Sequence, residues 1–423
     1  MRYPILILLS LIGVKKRMNS SEKYSISSYR WVILGLAWFS FFTIAMSWYV
    51  MPTLEHKLID LYNITPTQYS TALTIPFLIA GILSLIGGLL ADNLGIKKTA
   101  ALGTLLAGIG IILRVNTNGF LSLLFAMSVV GVGLGLIMPN LPKLVSVWFP
   151  PEETGLATGI YNTGLMGGLS TGLVIAPYLP SWSSGNYILG GIIIFSSVLF
   201  YFFVKDSPPG KELPPITILE GLKTAMKSKN SWLAALAVFT ALSGMVSIQG
   251  ALPGGLNKIY GIKMSTGGQI TSLITYFGLV GSLTLPYFAN KWNKRKLFII
   301  VLPISFSLIM YFSWLFAYNT LIIWIGTALA GYLAGGALPI LMEVPTFLSR
   351  IETDPIENQH VGGASGMLTS LMNLGGFFGL SFIVMPIIIR FGYSAGFMAA
   401  GLLFAIQAIF GAKITFPENI IEK

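Results

Sequence analysis

WVILGLAWFSFFTIAMSWYVMPTL (residues 31–54) carries no charged side chain in 24 consecutive positions. An α-helix rises about 1.5 Å per residue and needs ~20 apolar residues to cross a bilayer, so this stretch reads as a membrane-spanning helix. Its pattern returns 201 residues later. Trp31…Pro52 is matched by Trp232…Pro253, and Gln68 recurs as Gln269 at the same shift. Pro139 and Lys143 correspond to Pro339 and Glu343 at a shift of 200, and Gly155 and Gly159 to Gly362 and Gly366 at 207. Collinear shifts near 200 across four apolar stretches indicate two related halves, and repeated halves place a transport pathway at their interface.

Composition carries the same reading over the whole chain. Charged residues are only 10% of 423 and hydrophobic residues 54%, whereas a soluble domain carries roughly 25% charged residues. Much of the surface must therefore face lipid. Twelve apolar stretches can be marked off: 31–54, 68–90, 99–115, 120–148, 154–179 and 186–204, then 231–252, 267–289, 297–315, 321–348, 362–389 and 393–416. The predicted fold is an all-α membrane protein of twelve transmembrane helices in two pseudo-symmetric six-helix bundles. The expected division is an N-terminal segment 1–30, a bundle 31–204, a central loop 205–230, a second bundle 231–416 and a tail 417–423. Pro4–Val14 is apolar but precedes Lys15, Lys16 and Arg17, the reverse of signal-peptide order. Residues 1–17 read as an over-extended gene start or a surface-lying segment. Ile218, Leu222, Ala225 and Met226 fall at helical spacing and predict a short amphipathic helix on the membrane surface.

Charge predicts orientation. With the N-terminus inside, the outer loops and nearby span ends hold Lys57, Arg114, Lys258, Lys263 and Arg390, five of 26 Lys and Arg, leaving 21 inside. The positive-inside rule expects this bias, and it accounts for the net charge of +11 with no nucleic acid as partner. The chain is expected in the cytoplasmic membrane with both termini cytoplasmic. Trp31, Trp148, Trp232 and Trp292 fall at inner span ends, where an aromatic belt sits. No cysteine is present, and His56 and His360 lie in loops, so neither a metal site, a cofactor nor an enzyme constellation is expected. No Walker-type phosphate loop occurs, which excludes ATP as the driver.

Between the second and third stretches stands Gly88-Leu-Leu-Ala-Asp92-Asn-Leu-Gly95-Ile-Lys97-Lys98. It resembles the loop signature of the major facilitator superfamily, with Asn93 and Ile96 where that family has basic residues. The second copy, Asn290-Lys-Trp-Asn-Lys-Arg-Lys296, keeps the basic character and replaces the Asp with Asn290. The resemblance implies a conformational latch made of Gly88, Asp92, Gly95, Lys97 and Lys98. The turn Pro139–Gly159 is similar to anion-handling branches of the superfamily, among them organic-anion symporters and nitrate or cyanate porters. The nitrate branch holds its anion with arginines in the second and eighth spans, and here both lack arginine, so nitrate is not expected.

Lys143 and Glu343 are the ionisable residues within apolar stretches, at repeat-equivalent positions and of opposite charge, and such residues mark function by default. Lys143 can also snorkel to the headgroups. The resemblance implies that the two could pair across an inner gate. A rival reading gives Glu343 the coupling proton. Ser47, Tyr49, Asn140, Asn162, Ser243, Gln249, Tyr276 and Asn373 are polar residues near mid-membrane and are the pocket candidates, although each could equally serve an interhelical hydrogen bond. A polar, weakly charged pocket suits a small organic solute or a monovalent anion. The glycines of spans 4, 5 and 11 are expected to permit tight helix crossings, and Pro177 and Pro386 to bend spans 5 and 11. The expected function is a monomeric, proton-coupled secondary transporter, the alternative an uncoupled facilitator.

Overall fold

A computed structural model describes residues 28–208, 218–349, 354–357 and 360–415. The proposed gene-start segment, residues 209–217 of the central loop and the tail lie outside the described residues. Twelve long helices follow one another: α1 Tyr29–Trp48, α2 Pro66–Leu94, α3 Ile96–Leu113, α4 Phe120–Ile137, α5 Pro151–Ile175 and α6 Trp182–Phe203. The second set is α7 Lys229–Tyr260, α8 Met264–Lys291, α9 Arg295–Leu315, α10 Thr320–Met342, α11 Val361–Phe378 and α12 Tyr393–Lys413. Among the described residues, ten are long and apolar enough to cross a membrane, and α2 qualifies when its segments Pro66–Ser84 and Ile86–Leu94 are taken together. The remaining helix, α5, has 25 residues, about 37 Å at 1.5 Å per residue.

Small residues hold each bundle together, as lipid supplies no hydrophobic drive between helices. Gly164, Gly168 and Gly172 of α5 sit on the backbone of α1, where an added Cβ would strike the carbonyl oxygens of Trp38, Phe42 and Met46. In the second half Gly375 faces Phe239 and Gly379 faces Ser243 of α7. Since Trp38 and Phe42 map onto Phe239 and Ser243 at a shift of 201, these glycines align α5 with α11 at 211. That is one helical turn from the 207 suggested by Gly155 and Gly362. In α4 and α10 the shift of 200 holds: Gly131 and Gly135 pack on α2, and Gly331 and Gly335 pack on α8.

Several helices break where proline removes a backbone donor. α1 ends at Trp48, and Pro52–Leu54 forms a 3-10 turn before a short helix, Glu55–Tyr62. Pro177 lies in the 3-10 turn Ala176–Tyr178 that terminates α5, so it ends the helix rather than bending it. Beyond α11 a π-helical stretch, Gly379–Val384, leads into Met385–Phe391 with Pro386 in its first turn. Short helices Asn140–Trp148 and Val344–Leu348 extend α4 and α10.

The described ends and the central segment share one face. Tyr29 Oη donates to the carbonyl of Phe203, and Thr415 N donates to Asn230 Oδ1 at 3.0 Å. Their shared side is the central-loop face. The amphipathic helix forms as Ile218–Ala225. It lies against the start of α11, with Gly221 so close to Gly363 that neither could carry a Cβ without displacement. Trp31, Trp232 and Trp292 are exposed at helix ends. Trp148 is not part of a belt: it is buried, and its Nε1 donates to the Lys205 carbonyl at 3.0 Å.

Candidate functional site

The loop between α2 and α3 is built around Gly95. It has φ +90°, a region that favours glycine, and its N–H closes α2 on the Ala91 carbonyl. A Cβ there would collide with the carboxylate of Asp206, which accepts the Lys97 N–H at 2.7 Å. An anion at the first turn of α3 complements the exposed N–H groups of a helix start. Lys97 Nζ stands 4.9 Å from the Tyr201 ring centroid, and Lys98 is exposed.

Asp92 is held from α4's extension. Lys143 Nζ donates to Asp92 Oδ1 at 2.7 Å and to the Gly88 carbonyl at 2.9 Å, with the lysine side chain 13% and the aspartate 38% exposed. The second half has the same parts with charges reversed. Arg295 Nε donates to Asn290 Oδ1, its guanidinium lies 4.2 Å from the Phe347 ring centroid, and it is the cation acting on Glu343. Glu343 caps the end of α10 and is exposed. In this conformer Lys143 and Glu343 each face a charge of their own half.

Among the pocket candidates, Tyr49 and Gln249 meet across the halves. Tyr49 Oη donates to Gln249 Oε1 at 3.3 Å, and Gln249 Nε2 donates to Thr275 Oγ1 at 2.8 Å. Tyr276 Oη shares a hydrogen bond with Thr171 Oγ1 at 3.2 Å, again from half to half. The others hold helices. Asn140 Nδ2 donates to the Gly87 and Leu136 carbonyls, Ser243 Oγ to the Gly375 and Phe239 carbonyls, and Asn373 Nδ2 to the Thr369 carbonyl. Ser47 Oγ donates to the Thr43 carbonyl, and the Ser47 carbonyl accepts Arg114 Nη2 at 2.8 Å. Asn162 is half-buried in α5.

Further bonds between the halves run along α2 and α11, where the Ser84 and Ser370 hydroxyls are 3.4 Å apart, and others lie nearer the face opposite the central loop. Ser170 Oγ donates to the Ser272 carbonyl at 3.1 Å, and Thr74 and Ser381 hydroxyls are 2.7 Å apart. Gly268 of α8 packs against Thr53 and the Leu173 carbonyl. Toward the other face, an added Cβ at Gly155 or Gly362 would meet open space.

Sequence reading missed two charges. Glu55 is 2% exposed and Arg114 0%, so these, rather than Lys143 and Glu343, are the most deeply buried acidic and basic side chains among the described residues. Arg114 donates from Nη2 to Asn186 Oδ1 as well as to Ser47, and stacks 5.1 Å from the Trp182 ring centroid. From sequence, Arg114 is counted with the outer charges and Glu55 is not singled out. The signal for Glu55 was the spacing Glu55, Leu58, Tyr62, which puts the carboxyl on the buried face of the short helix.

The profile of the Major Facilitator Superfamily matches residues 33–380. The chain is 23% identical to a probable sulfoacetate transporter of Cupriavidus necator over 358 residues, covering 77% of this chain and 80% of that protein. It is 23% identical to the hexuronate transporter of Bacillus subtilis, over 81% of this chain and 84% of that one. A probable nitrate transporter of Staphylococcus epidermidis is 25% identical, over 86% and 90%. In fold it resembles a bacterial homologue of the human lysosomal transporter Spinster, solved inward-facing and unoccupied, with a TM-score of 0.69 at 14% identity over 92% of this chain and 95% of that one. The paired bundles, the Gly88–Lys98 loop and a match across most of the chain lead to one conclusion: this protein is a membrane transporter of the Major Facilitator Superfamily.

Proposed function

We propose that the protein is a proton-coupled secondary transporter that carries a small organic anion, or another small organic solute or monovalent anion, across the cytoplasmic membrane by alternating access. The observation that carries this reading is the hydrogen bond from Tyr49, just past the end of α1, to Gln249 of α7. It joins the two halves at equivalent depths, about 30 Å along each helix from the central-loop face at 1.5 Å per residue. A polar contact here closes the route on one side while leaving the Asp92–Lys143 pair within its own half. A carrier needs a seal of this kind, because two alternative seals that never open together prevent a leak.

The polar side chains at the contacts between the halves support the substrate class. Tyr49, Gln249, Thr275, Thr171 and Tyr276 offer donors and acceptors without a fixed charge, which favours a solute held mainly by hydrogen bonds. Similarity to transporters of sulfoacetate and of hexuronates supports an organic anion, and the absence of arginine from α2 and α8 argues against nitrate.

The test is uptake and counterflow in proteoliposomes, with labelled sulfoacetate and glucuronate, with and without an inward proton gradient. Accumulation only with the gradient is expected. Exchange without any response to the gradient would establish an uncoupled facilitator and discard proton coupling. Failure to exchange either solute would remove the organic-anion assignment.

A further inference from the structure

Glu55 has no place in the loop-side latch or among the pocket residues. α1 ends at Trp48, Pro52 starts a 3-10 turn, and Glu55 opens the helix that follows. The carboxyl is turned under α7 and buried between the halves, and its Oε2 has no hydrogen-bond partner. Directly opposite is Gly254, where a Cβ would land on Glu55 Oε2 and would also touch the Tyr393 hydroxyl oxygen at 3.4 Å. The glycine makes room for the carboxyl, and the carboxyl fills the room when the halves close.

The charged and titratable groups around Glu55 come from α2, α7, α12 and the chain beside it. Lys258, one turn beyond Gly254 on α7, acts on it directly. Tyr69 of α2 and Tyr393 of α12 feel its charge, and Tyr49 and Arg114 act in turn on Tyr69. His56, its chain neighbour, is half-buried. Two influences therefore oppose each other. A buried carboxylate with an unpaired oxygen is strongly disfavoured as the anion. The helix start at Glu55 and the ammonium of Lys258 favour the anion as soon as water reaches it.

We propose that Glu55 is a proton-binding site in the gate between α1 and α7. It takes one proton from water as that gate closes and returns it to water as the gate opens. Because the closed gate binds the proton more tightly, protons favour closure to the same degree that closure favours protons. The site rests on the alternating-access reading and gives it a proton at the gate opposite the central loop, where Glu343 has no reach.

The distance measurement needs no solute, so its outcome is independent of whether a substrate has been identified. The chain contains no cysteine. Spin labels on Ser183→Cys and Tyr318→Cys, both exposed and in opposite halves, report the width of this gate in the full-length protein reconstituted in lipid nanodiscs. Between pH 5.5 and 8.5 the longer-distance population should grow at least fivefold. Glu55→Gln, a permanent mimic of the neutral acid, should keep the short distance throughout. Lys258→Gln should keep the response and move its midpoint to higher pH. A wild-type distribution that ignores pH, or a Glu55→Gln distribution that follows pH as wild type does, overturns the site. Proton-driven uptake that survives in Glu55→Gln would also remove it while leaving the transporter reading intact.

Discussion

Lys143 Nζ lies 2.7 Å from Asp92 Oδ1, so the basic residue of the α4 extension and the acidic residue of the α2–α3 loop form one unit. The lysine also holds the Gly88 carbonyl. This joins the outer end of the loop signature to the helix that follows α4, and any movement of one must be carried to the other. With Asp92 38% exposed, the pair contributes at most about 1 kcal/mol to stability. As the proposed conformational latch, the pair would act on transport rather than on stability.

Asp92→Asn should therefore leave the protein folded and slow transport at least tenfold. Thermal melting should shift by no more than a few degrees, and solute binding by thermal shift should survive. Transport at the wild-type rate would show that the loop pair does not control cycling.

Lys143→Glu places two carboxylates at hydrogen-bonding distance and should abolish transport. If the partner is Asp92 throughout the cycle, Asp92→Lys added to Lys143→Glu restores activity and Glu343→Lys does not. If Lys143 transfers to Glu343 when the central-loop face closes, the exchange Lys143→Glu with Glu343→Lys restores part of it. Interaction energies from a double-mutant cycle separate the two, since residues in contact depart from additivity by about 0.5–3 kcal/mol.

Orientation is tested with single cysteines in this cysteine-free chain. Ser183 is exposed at the start of α6, and Met226 is exposed beyond the short helix Ile218–Ala225 on the central-loop face. Ser183→Cys should react with a membrane-impermeant maleimide in intact cells and Met226→Cys only after lysis. The reverse pattern would place both termini outside. Ser228 would be a poor reporter, because it is buried, caps α7 through Ser231 N and donates to Asp354 Oδ2.

The fold was legible because its cause is written locally. Long uncharged stretches can only be spans, and the 200-residue shifts reappear as paired glycine contacts, Gly131 with α2 and Gly331 with α8. The site was only partly legible. Hydropathy separates charges into loops and spans, and Glu55 and Arg114 stand at span ends, where sequence distance says nothing about which way a side chain turns. For Glu55 the short helix after the Pro52 turn decides it, placing the carboxyl with Leu58 and Tyr62 on its buried face. Lys143 was recognised, but its partner was not, since Asp92 lies 51 residues away and becomes its neighbour only when α2 packs on α4.

The glycine row of α5 yields the last prediction. Gly168 sits where a Cβ would meet the Phe42 carbonyl, the Ala45 side chain and the Met46 nitrogen, so nothing nearby can give way cheaply. Gly167, its neighbour in sequence, faces only the edge of the Phe42 ring at ordinary contact distance. Gly168→Ala should therefore destabilise the protein by about 1–3 kcal/mol, the range for overpacking a well-filled contact, while Gly167→Ala should be close to neutral. Monodisperse yield and melting temperature in detergent measure both, with the unmodified chain as reference. Because α1 leads directly into Tyr49 and on to Glu55, the α5–α1 contact also bears on the position of the proposed gate. Gly168→Ala protein recovered at low temperature should show a broadened distance between labels at Ser183→Cys and Tyr318→Cys, whereas Gly167→Ala should match the parent. Equal melting temperatures for the two variants would mean that α1 and α5 are not packed backbone to backbone along this row.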